Sequence, residues 1–82
     1  MTSDQLRQAL KELNGDRDAT FAVDHMPENL AYLTVHNAML VPDEPDHLIK
    51  VTDGHSIYII DAEHVAWVRI SLNHELKTNL KA

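Results

Sequence analysis

Two dense apolar runs stand side by side late in the chain, in the stretch DGHSIYIIDAEHVAWVRISL. The first run, at 56–60, follows Asp53-Gly54, which is one of the strongest short signals for a β-hairpin. We therefore predict strands at 48–52 and 56–60, joined by a tight turn. The second run predicts a last strand at 66–72. Alternation along these two runs places apolar side chains on both faces of the hairpin end that they form.

A single helix is predicted at the beginning of the chain. Thr2 and Gln5 have the spacing of a capping box, and apolar residues recur behind them at helical spacing, which indicates a helix at 3–14. The pattern then changes to alternation of apolar and polar residues. This change predicts a short strand at 20–23 and a long strand at 30–41.

One helix followed by five short strands predicts a mainly β fold. Strands this short must curl to close a core, so the order favours a small, partly open barrel with an N-terminal helix. We assign residues 1–82 to one domain. The polar tail at 73–82 is predicted as a short helix or a frayed end.

The small size of the chain favours association. In 82 residues a single core supplies only about 3–5 kcal/mol of net stability. The chain has no cysteine, so disulfides and zinc-thiolate sites cannot add to that stability. Contact with other copies is the remaining source, and a homo-oligomer is expected.

Charge and hydropathy narrow the choice of partners. Thirteen acidic against seven basic side chains give a net charge of −6, which repels phosphate and makes nucleic-acid binding an unfavoured function. The first residues are too polar for a signal peptide, and no apolar run reaches the roughly 18 residues of a membrane span. We expect a cytoplasmic protein with no membrane partner.

Six histidine residues are candidate metal ligands. None of them has His-x-His spacing, helical i,i+4 spacing or the spacing of a zinc site. The best remaining cluster for a hard divalent ion is His47 with Asp43, Glu44 and Asp46, and a solvated acidic loop is the favoured interpretation there. We predict no metal and no other cofactor.

Two further groups of residues invite a functional interpretation. Asp53, His55 and Ser56 are the residue types of a catalytic triad, but neighbours on one hairpin alternate faces and cannot form the relay, so no enzyme is predicted. The aromatic side chains that could stack nucleic-acid bases are those of Tyr32, Tyr58 and Trp67. Placement in the core or in an interface is the favoured interpretation of these three.

Two segments resemble the Sm and Sm-like family of small barrels. ENLAYLTVHNAMLV is similar to the family's third-strand segment, which ends in an Asn-Ala or Asp-Ala pair, and IIDAEHVAWVRI is similar to its second motif. The resemblance implies an Sm-like barrel and, as a function, RNA binding. Because the region from Asp16 to Asn29 is short for the family's first two strands, a five-stranded barrel of the Src-homology-3 type stays an alternative.

The departures from that pattern weaken the implied RNA site. Aligning Asn37-Ala38 with the family's pair places Glu28 at its acidic position and Tyr32 at its RNA-contacting Asn. Asp61 then replaces the family's basic residue, so attraction for phosphate becomes repulsion of roughly 1 kcal/mol at contact distance. These three residues are the ligand-facing candidates that the resemblance supplies.

The same resemblance implies how copies associate. The family builds rings by pairing the last strand of one subunit with the penultimate strand of the next, and a head-to-tail contact of this kind can close into a cycle. We predict a cyclic homo-oligomer with Ile57, Ile59, Val68 and Ile70 in the interface. The predicted function is a self-assembling scaffold or binding module, with a protein or peptide as a further partner. A divergent Sm-like RNA-binding protein is the alternative.

Overall fold

The computed structural model describes residues 1–72. The tail predicted at 73–82 lies outside the described residues. Two 3-10 turns, at Glu28–Leu30 and Ala62–His64, accompany the helix and strands. The helix and strands are α1 Ser3–Leu10, β1 Asn14–Val23, β2 Tyr32–Leu40, β3 Ile49–Thr52, β4 Ile57–Ile60 and β5 Val65–Ile70.

Helix α1 begins where the capping box predicted and ends early. The Thr2 side chain accepts from the Gln5 amide, and the Gln5 side chain accepts from the Thr2 amide. Leu6 and Leu10 are fully buried. The prediction that the helix extends to residue 14 is wrong, because the chain turns after Leu10 and Asn14 already belongs to β1.

Strand β1 is much longer than the predicted 20–23. Its first half is rich in charged residues and pairs with β2 through two shifts of register, between Asn14 and Arg17 and between Arg17 and Ala19. These irregularities remove the alternation by which a strand is recognised in sequence. Pairing with β2 therefore extends the strand to residue 14.

Strand β2 is shorter than the predicted 30–41 and has an irregular backbone at Asn37. Residues 28–30 form a 3-10 turn before it. Inside the strand, Asn37 has a φ of 50°, and its amide donates to Asp18 Oδ1 at 3.1 Å. This irregularity lets Val35 and Ala38 both face the core although they are three residues apart.

The predicted hairpin is confirmed, with each strand one residue shorter at its N-terminal end. Strands β3 and β4 pair with Thr52 opposite Ile57. Gly54 lies in the turn with a φ of 92°, a backbone conformation that suits glycine.

Strand β5 does not pair with β4, so the two apolar runs do not form one hairpin end as predicted. The sheet order is β4-β3-β2-β1-β5 and all pairs are antiparallel. The 3-10 turn Ala62–His64 carries the chain across the barrel to β1, and β5 begins and ends slightly earlier than the predicted 66–72. Strands β4 and β5 are therefore the two edges of the sheet.

The core lies between the concave face of the sheet and α1. Phe21 is the largest fully buried side chain. The mainly β fold, with five strands in one partly open sheet and an N-terminal helix, is confirmed. The buried apolar cluster consists of Leu6, Leu10, Leu13, Ala19, Phe21, Val35, Ala38, Ile49, Val51, Ile60, Ala62 and Val65.

Candidate interaction surfaces

The edge strand β4 presents apolar side chains to solvent. Ile57 and Ile59 are 60% and 63% exposed. The Asp53 amide donates to the Ser56 carbonyl at 3.4 Å, so the peptide groups of this pair point toward each other across the hairpin. Because these directions alternate along an antiparallel strand, the amide and carbonyl groups of Ile57 and Ile59 point away from β3. They form the outer edge of the sheet.

The edge strand β5, at the other end of the sheet, also has outward-pointing peptide groups at two apolar residues. The Ser71 amide donates to the Asp18 carbonyl on β1 at 2.9 Å. By the same alternation, the amide and carbonyl groups of Val68 and Ile70 point away from β1. Both side chains are half-buried and pack against the margin of the core.

The four predicted interface residues therefore lie on two separate edges, and one chain does not bring them together. What they share is that their peptide groups point outward. Within residues 1–72, no hydrogen bond fills these outward positions. This common property depends on the register of β3 with β4 and of β1 with β5, which sequence reasoning did not supply.

The convex face of β5, β1 and β2 carries an aromatic pair. Tyr32 and Trp67 both lie opposite Ala22, and their rings approach to 5.9 Å between centroids at an interplanar angle of 45°. Tyr32 is 60% exposed and Trp67 is 44% exposed. Trp67 is therefore not a core residue.

The aromatic pair forms one end of an open cleft. Thr20 lies opposite both Thr34 and Arg69, and the two threonine hydroxyls are 3.0 Å apart. The cleft has a volume of about 380 Å³ and is lined by these three residues together with Tyr32 and Trp67. Sequence reasoning missed this group, although alternation in β5 places Trp67 and Arg69 on one face.

The structure separates the other ligand-facing candidates from Tyr32. Asp61 caps the second 3-10 turn, where its Oδ1 accepts from the Glu63 amide at 3.1 Å. Glu28 is exposed in the first 3-10 turn. Within the described residues, no hydrogen bond or ion pair joins the side chains of Glu28, Tyr32 and Asp61 to one another.

Cationic side chains of the chain itself contact the acidic loop before β3. Lys50 Nζ lies 2.6 Å from Glu44 Oε1 and 2.8 Å from Asp46 Oδ2. These contacts, with Asp46 first, raise the pKa of Lys50. Asp43 is 3.3 Å from both Arg7 and His47. No cluster of three metal-ligating side chains occurs within residues 1–72.

The triad-like residues hold the hairpin turn. Asp53 Oδ1 accepts from the backbone amides of His55 and Ser56, each at 2.8 Å, and the Tyr58 hydroxyl donates to Oδ2 at 3.3 Å. The amides of Ser56 and His55 hold the pKa of Asp53 below its ordinary value of 3.8. The carboxylate thus contacts the backbone of its neighbours and serves as a turn cap.

Acid is expected to weaken this hairpin through Asp53. Its lowered folded-state pKa stabilises the fold above the unfolded value near 3.8, and that contribution is lost as the pH falls through the folded-state pKa. Asp53→Asn keeps an acceptor for the turn but cannot ionise. We expect the unfolding free energy of this variant, from urea titrations at several pH values, to decline less steeply below about pH 5. Parallel pH profiles for the two proteins would contradict this role.

No family model, curated protein or solved structure matches the chain. The resemblance to the Sm and Sm-like family therefore stays a prediction. Helix α1 has eight residues, and no helix in the described part of the chain is long and apolar enough to cross a membrane.

Proposed function

We propose that this protein is a self-assembling scaffold module whose copies join head to tail, β4 of one copy to β5 of the next. The observation that carries the proposal is the character of the two edges. At each edge the outward-pointing peptide groups belong to apolar residues, Ile57 and Ile59 on β4 and Val68 and Ile70 on β5. Soluble proteins normally protect such edges with charges, prolines or a covering segment.

Antiparallel pairing of these edges brings the four residues together. In an antiparallel ladder, residues whose peptide groups point at each other lie directly opposite and on the same face. Ile57 and Ile59 of one copy thus become cross-strand neighbours of Val68 and Ile70 of the next. This arrangement buries the most exposed isoleucines of the described chain and completes the open margin of the core.

The contact is heterologous, because it joins two different surfaces. Each copy has one edge of each kind at opposite ends of its sheet, so every added copy presents a new free edge. Such a contact forms a ring when the rotation between copies closes and a filament when it does not. Because the sheet is curled, each copy is expected to be rotated relative to the one before it, and we expect the copies to close into a ring.

Light scattering tests the proposal directly. Unmodified protein is expected to have a mass several times the 9.3 kDa of one chain. Ile59→Lys is expected to reduce the mass to that of a single chain, because a buried lysine in the new ladder would lack a partner. Leu30→Lys is the matched control, since Leu30 is 56% exposed and lies away from both edges. A mass of 9.3 kDa for unmodified protein at micromolar concentration would refute assembly.

RNA binding is the second candidate, and the exposed Tyr32 and Trp67 rings favour it because exposed aromatic rings can stack on bases. Charge argues against it, since the chain carries −6 and Asp61 occupies the position that is basic in the resembled family. We expect no salt-sensitive binding of oligo-uridine or oligo-adenine below about 1 μM in gel shifts at physiological salt. Binding in that range would favour the RNA-binding function.

A further inference from the structure

We infer that the convex cleft between Trp67, Tyr32 and Arg69 binds a peptide in which an aromatic residue and an acidic residue are separated by one position. This surface is distinct from the outward edges used in assembly, because its side chains project from the convex face of β5, β1 and β2. The inference names a partner for the scaffold, and it does not require that the copies assemble.

The aromatic end of the cleft is an unfilled apolar surface. Trp67 and Tyr32 stand over Ala22, which is only 7% exposed, so the two rings cover the sheet beneath them and keep their outer faces in solvent. Large rigid aromatic side chains lose little conformational freedom when a partner packs on them. An incoming aromatic ring can therefore stack here at low entropic cost.

The cationic end supplies the charge complementarity. The chain carries thirteen acidic side chains, yet the Arg69 side chain is exposed and makes no hydrogen bond or ion pair within residues 1–72. The Asp18 carboxylate, which lines a neighbouring part of this face with Arg69, accepts from the Asn37 amide and lies 3.3 Å from His36, and both of these residues are on β2. Arg69 thus presents its guanidinium to the cleft, where a carboxylate can accept two hydrogen bonds from it.

The distance between the two ends of the cleft determines how far apart the aromatic and acidic residues must be in the peptide. Trp67 and Arg69 are two positions apart on β5, which is about 6.6 Å along a strand. In an extended peptide, residues two positions apart project to the same side at the same spacing. A ring and a carboxylate with one residue between them can therefore reach both ends at once, whereas adjacent residues cannot.

The single cation favours a peptide over a nucleic acid. A single strand that tracks a groove needs several cations for successive phosphates. Among residues 1–72, Arg69 is the only cation that lines this cleft, which also contains Thr20 and Thr34, and the Asp18 carboxylate lies in the next row. A second phosphate would meet that carboxylate, while an isolated acidic side chain would not.

Tryptophan fluorescence provides a direct measurement, because Trp67 is the only tryptophan in the chain. The probe is the acetylated, amidated pentapeptide Ser-Phe-Ser-Asp-Ser, which has no tryptophan of its own. We expect a saturable change in Trp67 emission at millimolar peptide or below. The Asn-for-Asp peptide and the peptide with Phe and Asp adjacent should each bind about tenfold more weakly.

Variants separate this site from the assembly. Arg69→Gln should weaken binding about tenfold, whereas Lys11→Gln, an exposed cation on the helix side, should leave it unchanged. Ile59→Lys changes no residue of the cleft. This variant should therefore bind the peptide whether it is assembled or a single chain. Unchanged Trp67 emission, equal binding of the Asn peptide, or tighter binding of a single-stranded oligonucleotide than of the peptide would each overturn the inference.

Discussion

Ile70→Pro is expected to dissociate the assembly and leave each chain folded, whereas Arg69→Pro is expected to unfold the chain. The Ile70 amide points away from β1, so a proline there removes a donor needed only by the next copy. The Arg69 amide points toward β1, where Arg69 lies opposite Thr20, so a proline there removes a bond of the monomer's own sheet.

Circular dichroism and light scattering measure the two effects separately. We expect Ile70→Pro to retain the β spectrum with a mass of 9.3 kDa, and Arg69→Pro to lose that spectrum. If Ile70→Pro stays assembled, β5 is not the pairing edge. If Arg69→Pro stays folded, the peptide directions assigned to β5 are incorrect.

Phe21→Ala is expected to abolish the cooperative fold. Phe21 has no exposed surface and lies on β1 opposite both Leu33 and Val68. Truncation of a buried phenylalanine costs about 3–5 kcal/mol, which equals the net stability that a core of this size supplies.

Urea titration at fixed protein concentration measures that loss, since assembly makes stability depend on concentration. Phe21→Leu is the matched control, because leucine keeps much of the apolar volume and should leave a cooperative transition. A cooperative transition for Phe21→Ala, within about 1 kcal/mol of the unmodified protein, would show that the core is not centred on Phe21.

The local features of the chain that were predicted well are those encoded by neighbouring residues. The capping box of Thr2 and Gln5 and the turn at Asp53-Gly54 both occur as predicted, because each depends on contacts within about four residues. The first half of β1 was missed for the opposite reason. Its residues are polar, and they form a strand only because β2 lies beside them.

The candidate sites also differ in whether they depend on neighbouring residues or on distant segments of the chain. Ile57 and Ile59 could be recognised from the sequence as apolar residues in excess of what a small core needs, and they are exposed. The cleft of Thr20, Thr34 and Arg69 could not be recognised, since its members come from three strands. Trp67 was expected in the core or an interface, and its neighbour Tyr32 on the convex face is 35 residues away in the sequence.

By itself, the sequence determined the class of fold, the hairpin and the presence of more apolar strand surface than one small barrel buries. These properties follow from composition and from alternation over a few residues. Only the tertiary structure decided that β4 and β5 are opposite edges, which peptide groups point outward, and that Trp67, Tyr32 and Arg69 share a cleft. The physical reason is that strand order and register depend on pairing between distant segments, and a shift of one residue reverses the face of every side chain.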